Sequence, residues 1–114
     1  MQRLFVYGTL GPGRPNEHIL KDIKGTWKEA SVYGYLKQEG WGADMGYPGI
    51  INLDNDGNEI KGFLFCSDRL ESHWNRLDDF EGNGYKRVLS TVKIKNNSKE
   101  DAFVYILRNK KSGT

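Results

Sequence analysis

The sequence predicts an α+β fold, most simply a small mixed sheet or barrel with one or two short helices. Three observations carry that expectation. Five or six short runs are rich in β-branched and aromatic residues and are bounded by glycine or by Asn/Asp clusters. Only two stretches, around Ile19 and around Trp74, space their apolar residues as a helix does. A chain of 114 residues, finally, suffices for one hydrophobic core but not two.

Arg3 to Tyr7 reads as a first strand buried on both sides, ended by Gly8. Gly8 to Gly13 follows as a turn-rich loop. Pro15-Asn16-Glu17 resembles a helix start, and Ile19, Leu20 and Ile23 make one apolar face of a short helix ended by Gly25. Between Trp27 and Leu36, Ala30, Val32 and Leu36 alternate with Ser31, Tyr33 and Tyr35, a second strand interrupted by Gly34. Gly40 to Gly49 carries four glycines with Trp41, Tyr47 and Pro48, which suits a loop or lid rather than a regular element. Ile50 to Leu53 and Glu59 to Cys66 suggest a β-hairpin around the polar turn Asp54 to Asn58, and Gly62 suggests a close backbone approach. Asp68 and Glu71 have capping-box spacing, and Leu70, Trp74 and Leu77 share a face, so a helix is expected from about Arg69 to Asp79. Val88 to Lys95 and Ala102 to Leu107 are expected to pair antiparallel. Residues 1–108 thus read as a single domain and 109–114 as a polar tail.

Bulk composition narrows the function classes. The 17 basic residues nearly balance 15 acidic ones and no long run of one sign occurs, so nucleic acid is not an expected partner. A single cysteine excludes an internal disulfide framework and fits a reducing, cytoplasmic setting. No apolar run approaches the roughly 18 residues that cross a membrane, and MQRLFVYG lacks the apolar core of a signal peptide. No membrane partner is expected, and the sequence leaves the oligomeric state open.

Two places can carry chemistry. A strand that ends in glycine, as Tyr7-Gly8-Thr9-Leu10 does, can turn successive N–H groups toward an anion, although the same pattern serves as a plain turn. Glu81, at the exit of the second helix beside Phe80 and Tyr85, would feel the unfavourable helix end and partial desolvation, both of which raise a carboxyl pKa. Read blandly, Asp78, Asp79 and Glu81 are a solvated acidic patch paired with Lys86 or Arg87. His18 and His73 stand apart from other metal-ligand residues, and Cys66 has no nucleophile signature and suits a core. Asp54 to Asn58 lacks the closing glutamate of a calcium loop. Among Tyr33, Tyr35, Trp41, Tyr47, Tyr85 and Tyr105, most are expected in the core and one or two in a site.

Taken together, VYGTL (Val6 to Leu10), GY (Gly34-Tyr35), YPGI (Tyr47 to Ile50), GFLF (Gly62 to Phe65) and LDDFEGNGYKR (Leu77 to Arg87) resemble the gamma-glutamylcyclotransferase family in its AIG2-like, gamma-glutamylamine branch. The resemblance spans nearly the whole chain. It implies a barrel-like fold with helices outside and a cavity at one end of the barrel. By the same analogy the backbone of Tyr7, Gly8, Thr9 and Leu10 holds a glutamyl group and Glu81 is the catalytic acid/base. Tyr85 and Tyr105 are second-tier substrate-binding candidates on their chemistry, since a phenol can hydrogen-bond substrate, fix Glu81 or equally serve as packing. The implied reaction closes a small gamma-glutamyl substrate to 5-oxoproline and expels an amine, with neither metal nor organic cofactor. Gly40 to Gly49 is expected to meet the expelled group. A non-catalytic module binding a small metabolite in the same cavity is the alternative, and a hydrolase releasing free glutamate a third reading.

Overall fold

In a computed structural model that describes residues 2–37, 48–95 and 98–108, the first apolar run forms β1 (Gln2–Val6) and lies in the middle of the sheet. It pairs antiparallel with β4 (Asn58–Ser67), from Gln2↔Ser67 to Val6↔Phe63, and parallel with β6 (Lys99–Leu107) at Leu4↔Phe103 and Phe5↔Val104. With both edges occupied, alternation alone divides its side chains. Phe5 enters a cluster made wholly of strand residues, including Val32, Leu64, Val92 and Val104, which is the barrel interior. Leu4 and Val6 face the second cluster, where the helices pack.

Closure follows from the remaining pairs. The strand β2 (Thr26–Lys37) lies antiparallel to β4, and β5 (Tyr85–Ile94) antiparallel to β6. Pairing of Ala30 with Ile94 and Ser31 with Lys93 then joins β2 to β5, so five strands close into a mixed barrel. A sixth strand, β3 (Gly49–Leu53), is added on β2. Outside, α1 (Glu17–Ile23) presents Ile19, Leu20 and Ile23 to the helix-side cluster, and α2 (Trp74–Glu81) presents Trp74 and Leu77. Among the described residues no helix is long and apolar enough to cross a membrane.

Three local expectations need correction. The segments β3 and β4 do not form a hairpin. Both run antiparallel to β2, β3 along Gly34–Lys37 and β4 along Thr26–Gly34, so the turn between them passes the chain from one stretch of β2 to the next. The expected capping box is also absent: Ser67 Oγ accepts the Arg69 N–H at 3.1 Å, and neither Arg69 nor His73 receives a side-chain cap. That helix consequently opens as a 3₁₀ turn, Leu70–His73, and runs as α2 through Glu81 instead of stopping at Asp79. Finally, α1 ends before Gly25, and it is Lys24, at φ 68°, that carries the left-handed turn. Gly25 is needed for room, since a Cβ there would lie 2.7 Å from the Phe65 ring.

Gly62 sits opposite the end of β1, and a Cβ there would strike the Val6 carbonyl and come within 2.8 Å of Phe5 Cζ. Backbone and a fully buried ring cannot both yield cheaply. Gly62→Ala should therefore lower stability by about 2 kcal/mol in urea unfolding. Gly84→Ala, whose added Cβ meets nothing within 4 Å, should stay within about 0.5 kcal/mol of the wild type.

Candidate active site

Where β1 ends, the chain curls back on itself. Gly8 O accepts from Gly11 N at 3.2 Å and Thr9 O from Asn16 N at 2.8 Å, which pins the loop through its carbonyls. Thr9 and Leu10 are buried, yet among the described residues the N–H groups of Gly8, Thr9 and Leu10 donate to no backbone carbonyl. Buried N–H groups call for an acceptor, so this curl is a donor-rich surface.

The opposing wall comes from α2. Gly82 adopts φ 83° and returns its N–H to Asp78 O at 3.0 Å, a conformation that favours glycine and ends the helix immediately after Glu81. Glu81, Tyr85 and Tyr105 line one cavity with Tyr7, Gly8, Thr9 and Leu10. All seven residues singled out from the sequence therefore come together. Phe5, Val6 and Pro48 complete the lining and were not anticipated; they are apolar, and nothing in their local pattern separates a cavity wall from ordinary core.

The apolar lining has an electrostatic consequence. Removed from water, the Glu81 carboxyl is pushed up to about 7, and desolvation is the cause. The phenols beside it are also raised above their ordinary range, chiefly by burial. Their hydroxyls are engaged by the protein. Tyr7 donates to Tyr105 O at 2.7 Å and accepts from Ile50 N at 3.0 Å, stitching the end of β1 to β6 and β3. Tyr105 donates to Asp78 Oδ1 at 2.6 Å, and Arg87 Nε reaches the same oxygen at 3.1 Å. The acidic cluster is thus split: Asp78 does pair with Arg87, as the bland reading had it, while Glu81 faces the cavity.

Elsewhere the sequence candidates stay outside the site. Cys66 is buried, and burial raises its thiol. His18 is exposed, and His73 Nδ1 lies 2.7 Å from Arg69 O. Asp54 to Asn58 makes a local turn, with Asp56 N donating to Asp54 Oδ1 at 2.9 Å. Among the described residues no three His, Cys, Asp or Glu side chains gather as a metal-ligand set. The proposed lid falls largely on residues 38–47, with Trp41, Asp44 and Tyr47, which lie outside the described residues, as does the tail 109–114.

Comparison with known proteins places the fold. A Drosophila melanogaster protein, CG2811, named provisionally as a gamma-glutamylcyclotransferase, is 31% identical over 114 residues, covering 94% of this chain and 70% of its own. YkqA of Bacillus subtilis superposes with a TM-score of 0.71 at 28% identity, over 94% of this chain, which spans 36% of YkqA. The crystal structure of an AIG2-like protein from Mus musculus shares the fold with a TM-score of 0.70 at 23% identity, over 98% of this chain and 80% of that one. The family model for AIG2-like gamma-glutamyl cyclotransferases matches residues 4–114, and the chain belongs to that family.

Proposed function

We propose that this protein cyclises the gamma-glutamyl group of a small gamma-glutamyl amine or amino acid to 5-oxoproline and releases the amine. One observation carries the reading: a carboxyl with a proton affinity near neutrality, Glu81, lines the same cavity as the donor-rich curl at Gly8 to Leu10. Family membership supports the same activity.

The chemistry needs little else. The substrate's α-amine attacks its own gamma-carbonyl carbon, forming the ring C–N bond. Glu81, as carboxylate, takes the amine's proton during the attack. Once protonated, it gives that proton to the amide nitrogen as the original C–N bond breaks, so the leaving group departs as a neutral amine. No water is consumed. The N–H groups after β1 supply donors for a carboxylate or for the developing oxyanion. Because nucleophile and electrophile share one molecule, a cavity that holds the folded, ring-closing conformer provides much of the rate enhancement.

Glu81→Gln removes the proton acceptor without changing side-chain volume. Mass spectrometry of 5-oxoproline from a panel of gamma-glutamyl amino acids and amines should show turnover by the wild type and a loss of at least about 100-fold in the variant. Absence of product across the panel would instead favour a binding module. For an active wild type, kcat/KM should rise with pH along an acidic limb near 7. A limb near the ordinary carboxylate value of 4.5 would refute a desolvated base.

The same desolvation ties function to stability. A carboxyl whose folded pKa exceeds its unfolded one favours folding fully below the unfolded value, and that contribution is lost as pH rises through the folded value. For Glu81 the window runs from 4.5 to about 7. Glu81→Gln should accordingly be more stable than the wild type above pH 7, on the order of 1–3 kcal/mol, with the difference vanishing toward pH 4. Thermal melts of both proteins across this range check the sign.

A further inference from the structure

We infer that Asp78, Arg87 and Tyr105 form a positioning unit that fixes the end of α2 over the cavity and sets the electrostatic field at Glu81. The kinetic part rests on the cyclisation reading above; the electrostatic part does not.

The geometry is specific. Asp78 lies three residues before Glu81, one helical turn back on the same side of α2. Its carboxylate meets a guanidinium fork, with Arg87 Nε 3.1 Å from Oδ1 and Arg87 Nη2 3.4 Å from Oδ2, while the Tyr105 hydroxyl donates to Oδ1 at 2.6 Å. Arg87 and Tyr105 are direct cross-strand partners, so β5 and β6 present both donors from one rung. The Arg87 guanidinium also lies 4.3 Å from the ring centre of Trp74, the first residue of α2, and 5.0 Å from that of Phe103. One side chain therefore grips the helix at its first and fifth residues. Tyr105 carries the link onward: its ring lines the cavity and its carbonyl accepts the Tyr7 hydroxyl.

Stability alone does not account for such an arrangement. The Asp78 side chain is 41% exposed, and an ion pair so placed contributes little to folding. Its consequence falls on Glu81. Among the described residues the neighbours of that carboxyl are the phenols Tyr7 from the end of β1, Tyr85 from β5 and Tyr105 from β6, with Asp78 and Arg87 behind them and Asp79 exposed on the helix. Desolvation raises the Glu81 carboxyl, and on this proposal the paired charges of Asp78 and Arg87 offset each other there. Neutralising one unmasks the other.

The experiment follows the Glu81 carboxyl by ¹³C NMR titration in the wild type, Asp78→Asn, Arg87→Met and Arg87→Lys, beside kcat and KM for each. The Glu81 resonance is assigned by its loss in Glu81→Gln. Asp78→Asn leaves the cation and should lower the Glu81 titration midpoint, Arg87→Met leaves the anion and should raise it, each by roughly half a unit. Arg87→Lys keeps the charge and loses the fork. It should leave the midpoint in place while kcat drops about tenfold or more and KM changes less than about twofold. Shifts of the same sign, or no shifts, overturn the proposal, as does an unchanged kcat in Arg87→Lys. If Arg87→Met does not fold, the contrast between Asp78→Asn and Arg87→Lys decides the matter. A wild type that forms no 5-oxoproline sinks the cyclisation reading and leaves the opposite midpoint shifts to be judged on their own.

Discussion

The parallel pairing of the first strand with the last, at Leu4↔Phe103 and Phe5↔Val104, is the constraint on which the rest of this structure depends. It joins residues about a hundred positions apart, so it forms only at a large cost in loop-closure entropy. The antiparallel ladders around it, β2 with β4 and β5 with β6, are closed over much shorter stretches and prepare its two flanks. Once β1 is seated between β4 and β6, its next residue, Tyr7, stands over Tyr105, and the curl from Gly8 to Leu10 faces the end of α2. The cavity is thus a product of strand register. A slip of β1 by one residue would exchange Phe5 for Leu4 and Val6 between the two cores and remove the donor surface from Glu81.

The hydroxyl of Tyr7 is what makes that junction tight. It bonds the carbonyl of one strand and the N–H of another at a point where β1 has already left the ladder. A phenol buried beside Glu81 would otherwise leave a polar atom without partners, at a cost of order 1–3 kcal/mol. Two backbone partners satisfy it.

Much of the fold was legible in the sequence because its signals are local. The unbroken apolar run at Leu4 to Val6 announced a strand covered on both faces, and Leu70, Trp74 and Leu77 gave the buried face of the second helix. The site residues were reached from a glycine after a strand and a glutamate before a glycine, with the family resemblance deciding between the chemical and the bland reading. What was not legible is non-local. Asp54 to Asn58 has the composition of a hairpin turn, yet whether its flanking strands pair with each other or with a third is settled by β2, far away in sequence. Likewise no pattern within LDDFEGNGYKR shows that Arg87 faces Tyr105, because the rung depends on how β5 meets β6. The capping-box spacing of Asp68 and Glu71 goes unused, and the turn before Leu70 is held instead by Ser67 Oγ accepting the Arg69 N–H.

The two carboxylates Asp78 and Glu81 show how one helical turn can hold opposite electrostatic environments. Both belong to the same short acidic cluster, in which only its place at the helix exit beside Phe80 and Tyr85 sets Glu81 apart. Asp78 lies at the rim, where a guanidinium and a phenol hold its charge; Glu81 faces apolar walls, where its charge is penalised. A group that must accept a proton and then return it gains from a proton affinity near the working pH, and burial raises the Glu81 carboxyl toward that range. Burial also makes the carboxylate sensitive to every charge that is not offset nearby, because the low-dielectric surroundings that raise its pKa also transmit fields. The closer Glu81 is tuned by desolvation, the more its behaviour depends on Asp78 being matched by Arg87. Separating the two carboxylates across one turn lets the helix be anchored through a charged group without placing an unbalanced charge beside Glu81.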